Sequence, residues 1–290
     1  MGICNMCPRR CGAERSARVG VCGTPEAFLV SRVALHPFEE PCLSGKNGSG
    51  TVFFGGCNLH CVFCQNRAIS GGDVGETMGE GALEGHIFSL VEQGAHNINF
   101  VTPTQYTLPL ARLLERIKTR LPVPVVWNSG GYESVETLCA LDGLVDVYLP
   151  DFKYASRELA ARYSNAPDYP EVALAAIAEM HRQRGAARFD REGMMTSGVM
   201  VRHLVLPTGR KDSMTALSLL AEQLPVAQIR LSLMSQFTPD FVDATAYPEL
   251  ARRVTSFEYE SVVRHALALG FDGYLQDRAS ATKDYTPTFD

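Results

Sequence analysis

Thr51-Val52-Phe53-Phe54-Gly55-Gly56-Cys57-Asn58-Leu59-His60-Cys61-Val62-Phe63-Cys64 joins a short β-branched and aromatic run to three cysteines across a pair of glycines. The run reads as a buried strand and the glycines as the turn that ends it. Three thiols then fall within eight residues on one loop. A cubane iron–sulfur cluster is saturated by four cysteines, so Cys57, Cys61 and Cys64 would leave one iron with an open position. Open positions separate catalytic metal sites from closed structural ones. Zinc, completed by His60 or a distant cysteine, is the alternative that the spacing leaves open.

Downstream the same texture repeats. Apolar or β-branched runs at 97–102, 123–128, 145–149, 199–206, 228–234 and 273–276 alternate with stretches of helical period. Leu83, Ile87, Leu90 and Val91 share one helix face, as do Leu110, Leu113, Leu114, Ile117 and Leu121. Pro122 and Pro124 stop the second helix, and 172–184 and 252–269 read as further helices. Strand–helix alternation of this kind implies parallel β/α units with right-handed crossovers. Six or so units suit an α/β fold of the partial (β/α)6 barrel type. Reactive groups gather at the carboxyl ends of such strands. Beside the Cys57 loop, that rule nominates Thr102–Gln105, Asn128–Gly131, Asp151–Lys153, Arg202–Pro207 and Ser235–Gln236. Lys153 in a barrel mouth must be paired or bind an anion. Of Arg202 and His203 only one can face inward, and Arg202 is the expected one.

Upstream, residues 1–50 show no sustained helical period and read as a loop-rich module held by metal. Cys4-x2-Cys7-x3-Cys11-x10-Cys22 supplies four thiolates, a closed site compatible with zinc or an auxiliary iron–sulfur cluster. The expected division is therefore 1–50 for this module, 51–276 for the barrel and 277–290 for a polar tail. Residues 1–22 carry four arginines against Glu14, a basic head on a chain of net charge -5. With 46% hydrophobic and 20% charged residues over 290 positions, the composition excludes disorder, and no segment is apolar enough for a membrane span. The first residues lack the apolar stretch of a signal peptide, which places the chain in the cytoplasm. Nine cysteines, an odd number, then argue for metal or catalysis rather than disulfides. Cys139 reads as an inert core thiol and Cys42 as a packed loop cysteine, with a spare ligand or substrate-facing thiol as the alternative. His36, His86, His96, His181 and His265 read as ordinary packing or surface histidines.

Cys57-x3-Cys61-x2-Cys64 after the first strand, with Phe63 before the last cysteine, resembles the signature of the radical S-adenosylmethionine (radical SAM) enzymes. The resemblance implies a [4Fe–4S] cluster whose open iron chelates S-adenosylmethionine. Reductive cleavage then gives a 5′-deoxyadenosyl radical that abstracts hydrogen from the substrate. Glu39-Glu40-Pro41-Cys42-Leu43-Ser44-Gly45, Gly48–Phe54 and Arg202-His203-Leu204-Val205-Leu206-Pro207 resemble a branch related to the pyruvate formate-lyase activating enzyme, of unassigned substrate. That branch implies an oxidoreductase that takes a hydrogen from a backbone glycine of a partner, producing a glycyl radical enzyme. A reduced flavodoxin or ferredoxin would be the electron donor. Carried over residue by residue, Phe63 flanks the adenine, and Asp151-Phe152-Lys153 matches an Asp-x-Lys whose lysine contacts the S-adenosylmethionine carboxylate. Asp151 would pair with that lysine or bind the ribose. Arg202 joins this cofactor layer, and Gln236 takes the place of a cofactor-contacting histidine. The activating enzymes' Gly-Gly-Glu after the second strand is replaced here by Thr102-Pro103-Thr104-Gln105, which nominates Thr104 for the methionyl amino group. Two rivals stand beside this reading. One is radical modification of a peptide, a small molecule or, through Arg9–Arg18, RNA; the other is a non-catalytic iron–sulfur electron-transfer protein.

Overall fold

The computed structural model describes residues 3–276 and Phe289. The expected tail, Phe289 apart, lies outside the described residues. The strands are β1 Phe28–His36, β2 Ser49–Phe54, β3 Glu76–Met78, β4 Ile98–Val101, β5 Val125–Ser129, β6 Val147–Pro150, β7 Arg188–Phe189, β8 Met195–Leu204, β9 Arg230–Met234 and β10 Gly273–Leu275. They form one sheet in the order β10-β9-β8-β6-β5-β4-β2-β1-β3, with β7 paired to β8. From β2 to β10 along that path every pairing is parallel, and β1 and β3 add antiparallel strands at one edge. This is the α/β architecture expected from the alternation.

Alternating side chains of the parallel strands face opposite ways. Val52, Phe54, Ile98, Phe100, Val125, Trp127, Tyr148, Val199, Val201, Leu231 and Leu233 pack beneath the helices, including Glu80–Glu92, Thr107–Ile117, Tyr169–Arg184, Arg210–Gln223 and Ser256–Ala268. Both faces are buried, which is why the strands read as near-continuous apolar runs. On the other face Val126, Val147, Leu149 and Met200 form a second core with Cys42, Leu43 and Met195. The short helix Pro41–Ser44 thus plugs the amino-terminal end of the strands. Two residues further along β5 and β8 the same face turns polar, with Asn128 and Arg202 beside Asn99 of β4.

The sequence reading left 28–36 inside a loop-rich segment, whereas the structure makes it a nine-residue strand in register with β2. Its alternation is weak because Val33 to His36 are half-buried on both faces. Residues 3–27 hold no helix or strand and are fastened by two arginines. Arg9 donates to Asn58 O (2.7 Å), Ser164 O (2.9 Å) and Asn165 O, its guanidinium 5.2 Å from the Tyr132 ring centre. Arg15, buried, donates to Thr24, Pro25 O and Gln105 O and lies over Tyr106. The helices 157–164 and 210–223 were not anticipated; Arg210–Gln223 mixes polar residues into its buried stripe of Ser213, Ala216, Leu217 and Leu220. Among the described residues no helix is long and apolar enough to cross a membrane.

Candidate active site

The strand β2 delivers Gly55 and Gly56 to the carboxyl end of the sheet, and the cysteine loop starts there. Gly56 has φ +74°, and a Cβ on it would stand 2.2 Å from Thr24 Cγ2 and 2.3 Å from Cys22 O. Only glycine lets the two segments approach so closely. The contact is completed by Cys57 N–H donating to Cys22 O (3.1 Å). Within the loop, Leu59 N–H points at Cys57 Sγ (3.4 Å) and Ser164 Oγ–H at Cys61 Sγ (3.0 Å). Such donors stabilise thiolate sulfur and tune a metal bound to it.

Burial, reinforced by neighbouring thiolates, pushes the Cys64 thiol up to about 12 and raises that of Cys57 as well. Cys57, Cys61 and Cys64 are each partly exposed, and a metal takes such thiols as thiolates. Among the described residues no three Cys, His, Asp or Glu side chains converge as tightly as the ligands of a single ion do. The three cysteines feel one another's charge without meeting at one point. Three thiols on one loop, within electrostatic reach of one another, are donors of the kind that an iron–sulfur cluster takes.

Cys4, Cys7, Cys11 and Cys22 lie near one another in the segment before β1, short of the convergence that a single bound ion requires. Cys4 and Cys11 are hydrogen-bonded through sulfur, and Cys7 lies within electrostatic reach of Cys4 and Cys22. A Cβ on Gly20 would touch both Cys11 Sγ (3.3 Å) and Cys22 Sγ (3.5 Å). This set adjoins the first: Cys22 O and Asn58 are shared contacts between the segments.

In front of the cysteine loop lies a cavity of about 510 Å³, lined among others by Cys61, Phe63, Cys64, Asp151, Lys153, Arg202 and Gln236. Phe63 is buried and makes edge contacts with Tyr154, Tyr163 and Phe237, each at 6.3 Å between ring centres. Lys153 Nζ donates to Asp151 Oδ2 (2.5 Å), while Tyr169 Oη accepts from Lys153 N–H and sits 2.8 Å from Asp151 O, fixing the turn. Arg202 does face inward. Its Nε donates to Asp151 Oδ1 (3.0 Å), its Nη2 to Asn128 Oδ1 (2.6 Å), and its Nη1 stands 3.5 Å from Glu39 Oε2. Burial raises the Asp151 carboxyl, but Lys153 and Arg202 outweigh it and hold the group below its ordinary value. Gln236 accepts from Gln276 Nε2 (2.6 Å) and donates to Gln65 Oε1 (2.9 Å). His203 points the other way, is fully buried, and donates to Phe152 O at 2.6 Å; burial lowers it to about 4.

Thr104 is not among the residues of the cavity. The chain leaves β4 through Thr102 at φ 56° and enters a short helical turn, so Thr104 is buried and donates to Glu133 Oε1 (3.1 Å). Glu133 also accepts from Trp127 Nε1 and Ser129 Oγ, both at 2.8 Å, a polar network that locks two strand-end loops. Cys139 is exposed, not a core thiol, because its helix ends at Leu138 and leaves it on the outer side, within 3.5 Å of Glu179 Oε1. Cys42 is packed, as read. His36, a packing histidine by sequence, packs against Phe38 and Phe53 and also forms cavity wall. Sequence reasoning missed Glu39, Glu40, Gln65 and Gln276, which line the cavity from irregular segments. The Glu39-Glu40 doublet, two acids before an apolar helix, was the signal available.

Comparison with known proteins gives three similarities. Residues 51–191 match the sequence model of the Radical SAM superfamily. An uncharacterized protein of Methanocaldococcus jannaschii is 31% identical over 279 residues, covering 93% of this chain and 75% of its own. The crystal structure of methylornithine synthase aligns with a TM-score of 0.49 and 15% identity, over 73% of this chain and 59% of that one, so the chain spans less than two thirds of that structure. The cysteine loop lies inside the matched segment, so residues 51–191 carry a Radical SAM superfamily domain.

Proposed function

We propose that the chain is an enzyme that holds a [4Fe–4S] cluster on Cys57, Cys61 and Cys64 and uses it to cleave S-adenosylmethionine reductively. The observation that carries this reading is the cavity in which Cys61 and Cys64 face Phe63, Asp151, Lys153, Arg202 and Gln236. Bound there, the cluster and S-adenosylmethionine would supply one-electron chemistry for hydrogen abstraction, with a reduced flavodoxin- or ferredoxin-type protein as the donor. The chain's own part is to bind, orient and shield. Lys153 would carry the cofactor's carboxylate, and Asp151, held ionised by Lys153 and Arg202, would receive ribose hydroxyls. Phe63 would wall the adenine and Gln236 would contact the cofactor from the opposite rim. The test is anaerobic quantification of 5′-deoxyadenosine after dithionite reduction. It should form in the reconstituted protein and be absent from the Cys57→Ala, Cys61→Ala and Cys64→Ala variants; formation in these variants refutes the ligand assignment.

The narrower reading is that the abstracted hydrogen belongs to a backbone glycine of a partner protein. Phe38 and Leu275, which rim the cavity, are 52% and 53% exposed. Large apolar side chains at a cavity mouth suit the docking of another chain. Deuterium passing from a [2H]glycine-labelled protein fraction into 5′-deoxyadenosine supports this role, and deuterium arriving only from small molecules excludes it. The site of Cys4, Cys7, Cys11 and Cys22 would hold zinc or an auxiliary cluster and brace the cysteine loop through Cys22. Metal analysis of the Cys57/Cys61/Cys64→Ala triple variant separates the two.

A further inference from the structure

Three glutamine side chains join the cysteine loop to the far edge of the sheet, and all three line the cavity. Gln65 directly follows Cys64, Gln236 stands just beyond β9, and Gln276 directly follows β10. Ser235 N–H donates to Gln276 Oε1 (3.0 Å), and Gln276 Nε2 donates to Gln236 Oε1 (2.6 Å). Gln236 Nε2 in turn donates to Gln65 Oε1 (2.9 Å), and Gln65 Nε2 donates to Gln236 O (3.1 Å). Gln276 is itself anchored, because its N–H donates to Leu233 O (3.1 Å) and carries the β9–β10 pairing one residue further.

A side-chain amide can turn over and exchange its oxygen for its nitrogen with almost no change of shape. Here the direction is fixed, because the chain of amides ends on two backbone groups of set polarity. Ser235 N–H only donates, and Gln236 O only accepts. Turning Gln276 over would set N–H against N–H at Ser235, and turning Gln65 over would set oxygen against Gln236 O. Turning Gln236 over would create both conflicts at once, with Gln276 and with Gln65. One direction alone satisfies all four bonds, and amides bonded in series strengthen one another. Gln236 therefore keeps its N–H edge toward the cysteine loop and its oxygen toward β10. An amide nitrogen carries two N–H groups. Gln236 uses one on Gln65, and among the described residues the second has no acceptor.

We propose that Gln276 and Gln65 are positioning residues: they hold the Gln236 amide in one direction, so that its second N–H reads a hydrogen-bond acceptor of S-adenosylmethionine, an adenine nitrogen or a ribose oxygen. In the reversed amide an oxygen would stand in its place and repel the same acceptor. The inference rests on the radical reading for the identity of the ligand and adds to it what orients Gln236. An amide held from both sides loses little freedom when a ligand arrives, which favours binding. Because Gln65 adjoins Cys64, the same chain of bonds braces the cysteine loop against the ends of β9 and β10.

Two substitutions matched in charge and shape test the direction. Gln276→Glu still accepts from Ser235 N–H but offers no N–H of its own, so Gln236 turns over to donate to it. Gln65→Glu still accepts from Gln236 Nε2, so Gln236 keeps its direction. The measurement is equilibrium dialysis of S-adenosylmethionine against the full-length, anaerobically reconstituted proteins at pH 8, with iron content and melting temperature recorded for each. At equal iron content, Gln276→Glu should raise the dissociation constant at least tenfold more than Gln65→Glu does. Equal losses, a larger loss in Gln65→Glu, or wild-type affinity in Gln276→Glu overturns the proposal. Should either glutamate variant fail to fold by circular dichroism or to take up iron, Gln276→Met decides. It removes the same N–H without adding charge and should weaken binding at least threefold; wild-type affinity there overturns the proposal. Wild-type protein that carries a full cluster yet binds no S-adenosylmethionine rejects the radical reading and the positioning role together. Wild-type binding beside equal losses in the two glutamate variants rejects the positioning role alone.

Discussion

Replacing Arg202 by methionine removes the one guanidinium that ties Asp151, Asn128 and Glu39 into a single network. Breaking a buried ion pair by deleting one partner costs about 3–5 kcal/mol, because the other charge is left buried. Asp151 keeps Lys153 at 2.5 Å, so the uncompensated group is Glu39, which retains only the Asn99 and Asn128 amides. Burial already raises the Glu39 carboxyl well above its usual range even with Arg202 opposing it. The folded state thus holds that proton to higher pH than the unfolded chain, and stability falls as pH rises out of the ordinary carboxylate range. Without Arg202 the carboxyl rises further, and each additional unit is worth about 1.4 kcal/mol above the new value. Denaturant titrations of cluster-free Arg202→Met followed by circular dichroism should show a loss of about 3–5 kcal/mol near pH 8.5. Near pH 6, where Glu39 can take a proton, the loss should be smaller by about 1 kcal/mol or more. Arg202→Lys should fall between, since lysine restores charge but not the planar fork. A loss under about 1 kcal/mol at pH 8.5, or one equal at both pH values, refutes the account of this network.

Three other perturbations follow from the same geometry. Gly56→Ala forces a side chain into a left-handed backbone against Cys22 O, at about 1–2 kcal/mol for the backbone alone before the clash is counted; iron bound after reconstitution should drop together with the melting temperature, and an unchanged iron content contradicts the close approach. Arg9→Ala removes three hydrogen bonds to the carbonyls of Asn58, Ser164 and Asn165, so residues 3–27 should become markedly more sensitive to trypsin, with a stability loss of about 2–3 kcal/mol. Burial lowers both His36 and His203 to about 4, so between pH 6.5 and 4 the unfolded chain takes protons that the folded one refuses. Stability should fall with pH across that window, by up to about 1.4 kcal/mol per unit for each histidine, and His203→Gln should make the slope shallower; an unchanged slope means His203 titrates normally.

How much of this was legible in the sequence depended on where each residue sits relative to regular structure. The runs at 97–102 and 123–128 announce β4 and β5 because both faces are buried and apolar. Asp151, Lys153 and Arg202 were reachable by the rule that groups at the carboxyl ends of parallel strands face the mouth. The rule failed at Thr104, where the left-handed Thr102 redirects the chain within one residue. Nothing local foretells that turn, since Thr102 and Pro103 suit an extended path as well. The strand β1 was missed because its half-buried residues lack a clear period, and its pairing with β2 is a long-range event. Glu39 and Glu40 carry a resemblance in sequence, yet their place in the cavity wall depends on the helix Pro41–Ser44 packed beneath them. Cys139 shows the converse error. The Leu138 and Leu141 beside it are fully buried, and an apolar context concealed an exposed position at a helix end.

The central claim is that Cys57, Cys61 and Cys64 hold a cluster with an iron open to S-adenosylmethionine. Electron paramagnetic resonance of the dithionite-reduced, reconstituted protein, recorded with and without S-adenosylmethionine, tests it most directly. A [4Fe–4S] signal that changes shape on adding the cofactor, and is lost in the Cys57/Cys61/Cys64→Ala variant, is the result predicted. A full cluster signal that S-adenosylmethionine leaves untouched, or one that survives in that variant with the same response, contradicts it.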